Sequence, residues 1–195
     1  MKNVLNNTKK GILMVAMLAT VMGFANEIDG RDLRITALTI NNVKEGNLLS
    51  IKDINGSTLY TEIIEQSGSY TKGFDLTELP DGSYFFELDK DITIKTIPFN
   101  VKSNIAVFDK DKETIIFKPF VQKHNDLVYI TKLAPELEPL KINVYGLYSS
   151  GASELLFTET IKGKENIERV LKLERGNYKI VFNSNDKTYT KYINN

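Results

Sequence analysis

Hydrophobic and polar residues alternate over most of the chain after residue 25. Leu140, Ile142 and Val144, for example, share one face of a short run, and residues of the other face separate them. A period of two residues predicts β-strands with one buried face, whereas helical periodicity is nearly absent. The predicted strands are 33–41, 48–54, 58–65, 69–76, 84–88, 92–99, 114–122, 126–133, 140–145, 154–162, 166–173, 178–182 and 187–193.

Turn signals separate these runs and predict the fold class. They are Asn55-Gly56, Ser67-Gly68, Asp81-Gly82, Ser150-Gly151, Gly163 and Asn185-Asp186. Short strands at this spacing predict an all-β protein built of antiparallel sandwiches. The segment 164–173 has an ambiguous period that also allows a helix, and we favour a strand there because of an internal repeat.

The repeat consists of matched motifs that recur in the same order. Residues 59–62 (LYTE) recur as 156–159 (LFTE), and the Leu-x-x-Gly-x-Tyr motif of 79–84 recurs at 173–178. Self-similarity of this kind indicates a duplicated structural unit. The pattern is interrupted near 100–112, by residues 101–104 (VKSN) and by the charged run 109–113 (DKDKE). The sequence therefore predicts two tandem sandwich units, 26–101 and 102–195, after an N-terminal segment.

The Leu-x-x-Gly-x-Tyr motif has a physical interpretation that refines the fold. The leucine ends one strand in the core, and the glycine permits a tight turn. Tyr84 and Tyr178 then begin the next strand with a buried ring, while each hydroxyl bonds nearby backbone. This is the arrangement of a tyrosine corner, which predicts immunoglobulin-like units. Ligand contact is the alternative role of the two tyrosines.

Residues 48–88 also resemble a known family, the C-terminal sorting domain of the Bacteroidetes type IX secretion system. The resemblance rests on Asp53, Gly56, Asp75, Leu76, Leu79, Gly82 and Tyr84. The second copy, 140–193, keeps Leu173, Gly176 and Tyr178 but has Lys172 where an acidic residue is expected. The resemblance implies a β-sandwich and, as an alternative function, a secretion substrate whose C-terminal unit is the sorting signal.

The first 25 residues predict a cleaved signal peptide. Lys2, Lys9 and Lys10 precede an apolar run of about 14 residues, from Gly11 to Phe24, and Ala25 is a small residue at the predicted cut. This run is too short to span a ~30 Å hydrocarbon core comfortably. A buried helix or an uncleaved membrane anchor is the alternative. Export to the periplasm, cell surface or medium is the expectation.

Charge and composition narrow the possible partners. The chain has 25 basic and 25 acidic side chains, and removal of the leader takes away three lysines and leaves 170 residues with a net charge of −3. Such a balance disfavours nucleic acid and anionic lipid as partners. The chain has no cysteine, which excludes disulfides and thiolate metal sites. The predicted sandwiches must therefore be stable through their hydrophobic cores alone.

Three segments offer chemistry, and each has a simpler structural interpretation. The run 109–113 (DKDKE) alternates carboxylates as calcium loops do, but it lacks the glycine and the distal glutamate of an EF-hand. Residues 53–57 also have calcium-like oxygens, yet Asn55-Gly56 predicts a hairpin turn. His124 is expected in an exposed turn. We therefore assign no catalytic, cofactor-binding or metal-binding residue.

These observations predict an exported, non-enzymatic β-sandwich protein that acts as an interaction or structural module at the bacterial envelope or cell surface. The expected partner is a protein or a glycan. We expect no transmembrane span in the mature chain. The sorting-domain function and a carbohydrate-binding function are the alternatives. The oligomeric state stays open at this point, and edge strands are the expected contact surfaces.

Overall fold

The computed structural model describes residues 35–195. The predicted leader and residues 26–34 lie outside this range. Antiparallel strands make up most of the described chain, which confirms the all-β prediction. No helix within this range is long and apolar enough to cross a membrane.

The described chain divides into two compact units. The first runs through Lys90 and resumes over Lys95–Thr114, and the second comprises Asp91–Ile94 and Ile115–Asn195. The predicted bounds of the two sandwich units, 26–101 and 102–195, stay a prediction. Strands in the order of the chain are β1 (Ile35–Val43), β2 (Leu48–Asp53), β3 (Thr58–Ile63), β4 (Gly68–Asp75), β5 (Gly82–Asp89), β6 (Thr93–Lys102), β7 (Ile105–Phe108), β8 (Thr114–Phe117), β9 (Phe120–His124), β10 (Leu127–Leu133), β11 (Leu140–Leu147), β12 (Ser153–Ile161), β13 (Asn166–Lys172), β14 (Asn177–Ser184) and β15 (Lys187–Asn194).

The two units share one strand order. In the first, a sheet ordered β3-β2-β5-β6-β7 faces the pair β1-β4. In the second, a sheet ordered β12-β11-β14-β15 faces β13-β10-β9. The register shifts at the same place in both, between Ile51 and Lys52 on β2 and between Val144 and Tyr145 on β11. The predicted repeat is thus confirmed in the fold.

The two hydrophobic cores differ in their side chains. The first core is centred on aromatic rings: Phe86 lies 5.0 Å from Phe74 and 5.2 Å from Phe99, measured between ring centroids. The second core is mainly aliphatic, and Ile142, Ile180 and other β-branched residues are fully buried in it. Each core receives side chains from both sheets of its unit, so each is the interior of a sandwich.

The observed strands differ from the predicted ones mainly between residues 100 and 124. The predicted strand 114–122 was wrong as a single element, because it is divided into β8 and β9 at Pro119, which has no N–H to donate. The strand β7 was missed. It forms a hairpin with β6 through Ser103 and Asn104, both at positive φ. The segment predicted as 166–173, with its helical alternative, is the strand β13.

Candidate functional site

The two tyrosines singled out by the repeat occupy equivalent sites. Tyr84 is 9% exposed and donates a hydrogen bond of 2.8 Å to the carbonyl oxygen of Pro80. Tyr178 is 8% exposed and donates one of 3.1 Å to the carbonyl oxygen of Glu174. Both acceptors lie four residues before the tyrosine, so both units contain the predicted corner. These side chains are core supports, and their hydroxyls are committed to backbone.

The environment of Tyr84 also disfavours its phenol as a proton donor or acceptor. Burial raises the pKa of Tyr84, and the negative charges of Asp53 and Asp81 add to this increase. A general acid or base works best with a pKa near the operating pH. A catalytic phenol would need a pKa lowered towards neutral pH, whereas the pKa of Tyr84 is raised.

The calcium-like oxygens of residues 53–57 are used by a turn. Asp53 Oδ1 accepts the backbone N–H groups of Asn55 at 2.9 Å and Ser57 at 2.8 Å. Gly56 has a φ of +82° and donates its N–H to the carbonyl oxygen of Asp53 at 2.9 Å. The hairpin turn that the sequence predicts between β2 and β3 is therefore present, and the Asp53 side chain makes it an Asx-type turn.

The acidic run at 109–113 contains one turn of 3-10 helix, Lys110–Lys112. Two of its three carboxylates pair with lysines: Asp109 lies 2.6 Å from Lys112 Nζ, and Glu113 lies 2.6 Å from Lys95 Nζ. Within residues 35–195, no group of three or more histidine or acidic side chains is arranged to hold a metal ion. Asp109 and Glu113 therefore act as local ion-pair partners.

His124 is exposed and ends strand β9, directly before the turn at Asn125. It lies opposite Leu127 in the β9–β10 hairpin. His124 is therefore exposed as expected, but it is the last residue of a strand and lies next to the turn rather than in it.

A cluster that sequence reasoning missed joins the two sheets of the first unit at one edge. Lys72 of β4 forms an ion pair with Glu62 of β3 and donates a hydrogen bond of 2.9 Å to Tyr60 Oη. Tyr60 in turn donates to Glu62, and the Lys72 ammonium lies 5.5 Å from the centre of the Tyr60 ring. The cluster therefore connects the edge strand of one sheet to the edge strand of the other.

The charges of this cluster are stabilised in place. Burial opposes the ionised form of Glu62, but hydrogen bonds from Lys72 and Tyr60 hold its pKa below the usual value. Burial likewise disfavours charge on Lys72, yet its bonds to Glu62 and Tyr60 raise its pKa. Both shifts lead away from neutrality, so at neutral pH neither group is prepared to transfer a proton. The cluster is suited to hold an edge together.

The second unit has an equivalent ion pair, Glu159 and Arg169. Its two residues lie 97 positions after Glu62 and Lys72, the same distance that separates the motifs 59–62 and 156–159. Glu159 on β12 accepts two hydrogen bonds from the Arg169 guanidinium on β13, one of them 2.7 Å long at Nε. Phe157 stands where the first unit has Tyr60, so no phenol completes this cluster. The motif matched at 59–62 and 156–159 therefore contains one half of each ion pair. In both units the acidic residue of the motif is followed ten residues later by a basic one, Lys72 or Arg169. This shared spacing is the sequence signal that could have revealed the cluster.

A groove of about 370 Å³ in the second unit is the clearest candidate binding surface. We call it the β10–β13 groove, because residues of these strands line it. Phe120 and Leu133 contribute apolar surface and are 50% and 49% exposed. The remaining lining residues are Ile92, Phe117, Lys118, Thr131, Lys132, Asn166, Ile167 and Glu168. Exposed apolar surface with a polar rim is typical of contact sites.

One residue beside this groove, Lys132, is a buried lysine. Lys132 has a fully buried side chain and donates hydrogen bonds to the carbonyl oxygen of Leu133 at 3.1 Å and to Glu138 at 3.4 Å. Burial opposes ionisation of Glu138, but backbone hydrogen bonds and the charge of Lys132 hold its pKa below the usual value. The ammonium is thus compensated inside the protein, and the groove presents mainly apolar contacts.

Comparisons with known proteins add little to this geometry. No protein-family model matches the sequence, and no curated protein sequence does either. The chain is similar to a solved structure described as "Biofilm associated protein - BSP domain", with 14% identity and a TM-score of 0.27. The match covers 83% of this chain and 27% of that chain. A similarity at this level carries no functional argument, and the resemblance to the type IX sorting domain stays a prediction.

Proposed function

We propose that the chain is an exported protein that acts as a non-enzymatic interaction or structural module at the bacterial envelope or cell surface. The observation that carries this proposal is the β10–β13 groove, where apolar side chains lie exposed on the surface of a sandwich. The leader pattern of residues 1–25 supports export. The polar clusters described above support a structural role, because their members are engaged in turns, corners and edge ion pairs.

Export is tested by producing the full chain in a bacterium and measuring its intact mass in each cell fraction. We expect the periplasmic, surface or extracellular fraction to contain a chain that begins at Asn26. A full-length chain confined to the cytoplasm contradicts export. A variant with Lys2, Lys9 and Lys10 replaced by glutamate is the matched control, because it removes the basic region that the leader requires.

Interaction is tested by placing a photo-crosslinking amino acid at Phe120 in the groove. Lys164, an exposed polar residue in the loop before β13, provides the matched control position in the same unit. We expect a discrete crosslinked product from position 120 in intact cells, and a weaker one or none from position 164. Equal products at both positions, or none at either, contradict a contact role of the groove.

The second candidate function is that of a type IX secretion substrate whose C-terminal unit is the sorting signal. The motif from Asp53 to Tyr84 and its partial repeat at Leu173, Gly176 and Tyr178 favour it. In a bacterium with that system, the full chain is expected in the medium or on the surface. A strain without the system would then retain it in the periplasm, and unchanged localisation between the strains contradicts this function.

A further inference from the structure

The strand β15 is an edge strand of its sheet, whereas its counterpart in the first unit has a strand on both sides. By strand order β15 corresponds to β6. The strand β6 pairs with β5 on one side and with β7 on the other, whereas β15 pairs with β14 and with no other strand of the described chain. The two sandwiches therefore differ at this side.

The backbone geometry shows which groups of β15 face outward. Gly176 and Asn195 exchange two N–H···O bonds of 2.9 Å, which makes them a hydrogen-bonded pair of the antiparallel ladder. Such pairs alternate along the ladder, so Ile193 and Lys191 bond to β14. The backbone groups of Thr188, Thr190, Tyr192 and Asn194 point away from β14. A hydrogen bond of 3.0 Å from Lys123 Nζ to the carbonyl oxygen of Asn194 agrees with this direction.

The first unit shows what an added strand does at this place. In the β6–β7 hairpin Phe99 lies opposite Phe108, and Asp109 donates its N–H to the carbonyl oxygen of Pro98 at 2.9 Å. The Phe108 ring lies 5.8 Å from Phe99 and 6.0 Å from Phe86 between centroids. Phe99 is accordingly only 1% exposed. The strand β7 thus both pairs with the backbone edge and closes the end of the core.

The corresponding core position of the second unit is less well covered. The offset of 94 residues that relates Tyr84 to Tyr178 also relates Phe99 to Ile193. Ile193 packs against the second core but remains only partly buried. Lys191 lies on the same face of β15 as Ile193, but its side chain is exposed. A charged residue of this kind on an edge strand discourages indiscriminate pairing, so a partner must compensate it.

We propose that the outer edge of β15 binds an extended segment of a partner protein as an added antiparallel strand. That segment has a large apolar side chain opposite Ile193 and an acidic side chain two residues further on, opposite Lys191. The backbone groups of Thr188, Thr190 and Tyr192 provide its hydrogen bonds. The inference rests on the proposed role as an interaction module and assigns that role a specific surface and partner chemistry.

The probe is a synthetic peptide with the sequence of residues 103–111 and the change Lys110→Glu. In the register of β7 this peptide places Phe108 opposite Ile193 and the new glutamate opposite Lys191. Isotope-labelled protein of residues 26–195 is titrated with it and followed by NMR. We expect the chemical-shift changes and the slowed amide exchange to be concentrated at Thr190 and Tyr192, which lie opposite residues 111 and 109 of the peptide.

Matched variants separate strand addition from nonspecific contact. Thr190→Pro removes an outward N–H without removing a bond to β14, and we expect it to weaken binding about tenfold or more. Thr190→Val keeps the N–H and should bind like the parent. The peptide with Phe108→Asp should also bind at least about tenfold more weakly. This last comparison holds even where Thr190→Pro disturbs folding.

A charge exchange provides the sharpest test. Lys191→Glu should lose affinity for the glutamate peptide and gain affinity for the peptide that retains Lys110. Shift changes away from β15, or equal binding by all variants, would overturn the proposal. So would self-association through β15 in the absence of peptide, measured by analytical ultracentrifugation. These failures leave the export and groove experiments unaffected, so they are distinguishable from failure of the proposed function.

Discussion

The two units reach the same strand order with different core chemistry. Phe86 in the first core contacts three aromatic rings, whereas its counterpart Ile180 is a fully buried aliphatic residue in a core that is mainly aliphatic. The tyrosine corner, by contrast, is present in both units with the same spacing and the same type of acceptor. Cores tolerate changes that keep volume and hydrophobic pattern. The comparison indicates that alternation and turns specify the topology, while core residues adjust to each other.

The largest expected effect comes from cutting the centre of each core. Phe86→Ala should destabilise the first unit by about 3–5 kcal/mol, since it removes a ring with three aromatic neighbours. Ile180→Ala should cost the second unit about 2–4 kcal/mol, because it removes fewer buried atoms. Amide hydrogen exchange over a urea series reports both units in one sample. An equal or larger effect of Ile180→Ala contradicts the importance of the aromatic cluster.

The tyrosine corners should respond alike in the two units. Tyr84→Phe and Tyr178→Phe each remove one hydroxyl and leave a backbone carbonyl without its partner. We expect a loss of about 1 kcal/mol in the free energy of unfolding of each unit. The same exchange measurement tests this. Tyr145→Phe, at a partly exposed tyrosine on β11, is the matched control and should have little effect. A loss in only one unit would show that the corners are not equivalent.

The smallest expected effect is a pH dependence that differs between the edge clusters. The folded pKa of Glu62 is lowered, so its contribution is present above the ordinary value of 4.5 and is lost as the pH falls through the folded value. The folded pKa of Lys72 is raised, so its contribution is present below 10.5 and is lost as the pH rises through the folded value. The pair lies near the surface, which limits the effect to below about 1 kcal/mol.

The control for this pH dependence is the double variant Glu62→Gln, Lys72→Met. It should flatten the stability of the first unit at both ends of the pH range. The second unit should not weaken at high pH through its own edge pair, because arginine keeps its charge there. An unchanged pH profile in the double variant contradicts the role of the Glu62–Lys72 pair. Urea unfolding at a series of pH values provides the measurement.

Much of the fold could be predicted from the sequence because it depends on local patterns. Alternation located β11 and β14, and Asn55-Gly56 located the β2–β3 turn. The strand β7 was missed because it has only four residues and follows a turn of Ser103 and Asn104, which is a weak turn signal in sequence. The break at Pro119 was missed because apolar residues continue on both sides of it.

The candidate site was less predictable because its contacts join different sheets. Glu62 and Lys72 lie on strands of separate sheets, and nothing in the local alternation shows that their side chains meet. The β10–β13 groove likewise combines residues as distant in sequence as Ile92 and Glu168. The tyrosine corners could be predicted, since the whole interaction lies within the motif and the residues next to it.

The short span of the tyrosine corner also has a consequence for how the chain folds. Each hydroxyl meets an acceptor only four residues away, so the loop that it closes is very short and has a small entropic cost. Contacts between neighbouring residues form faster than contacts between distant strands. We therefore expect the segment that leads into β5 or β14 to become ordered early in the folding of each unit, before the strands remote in sequence assemble.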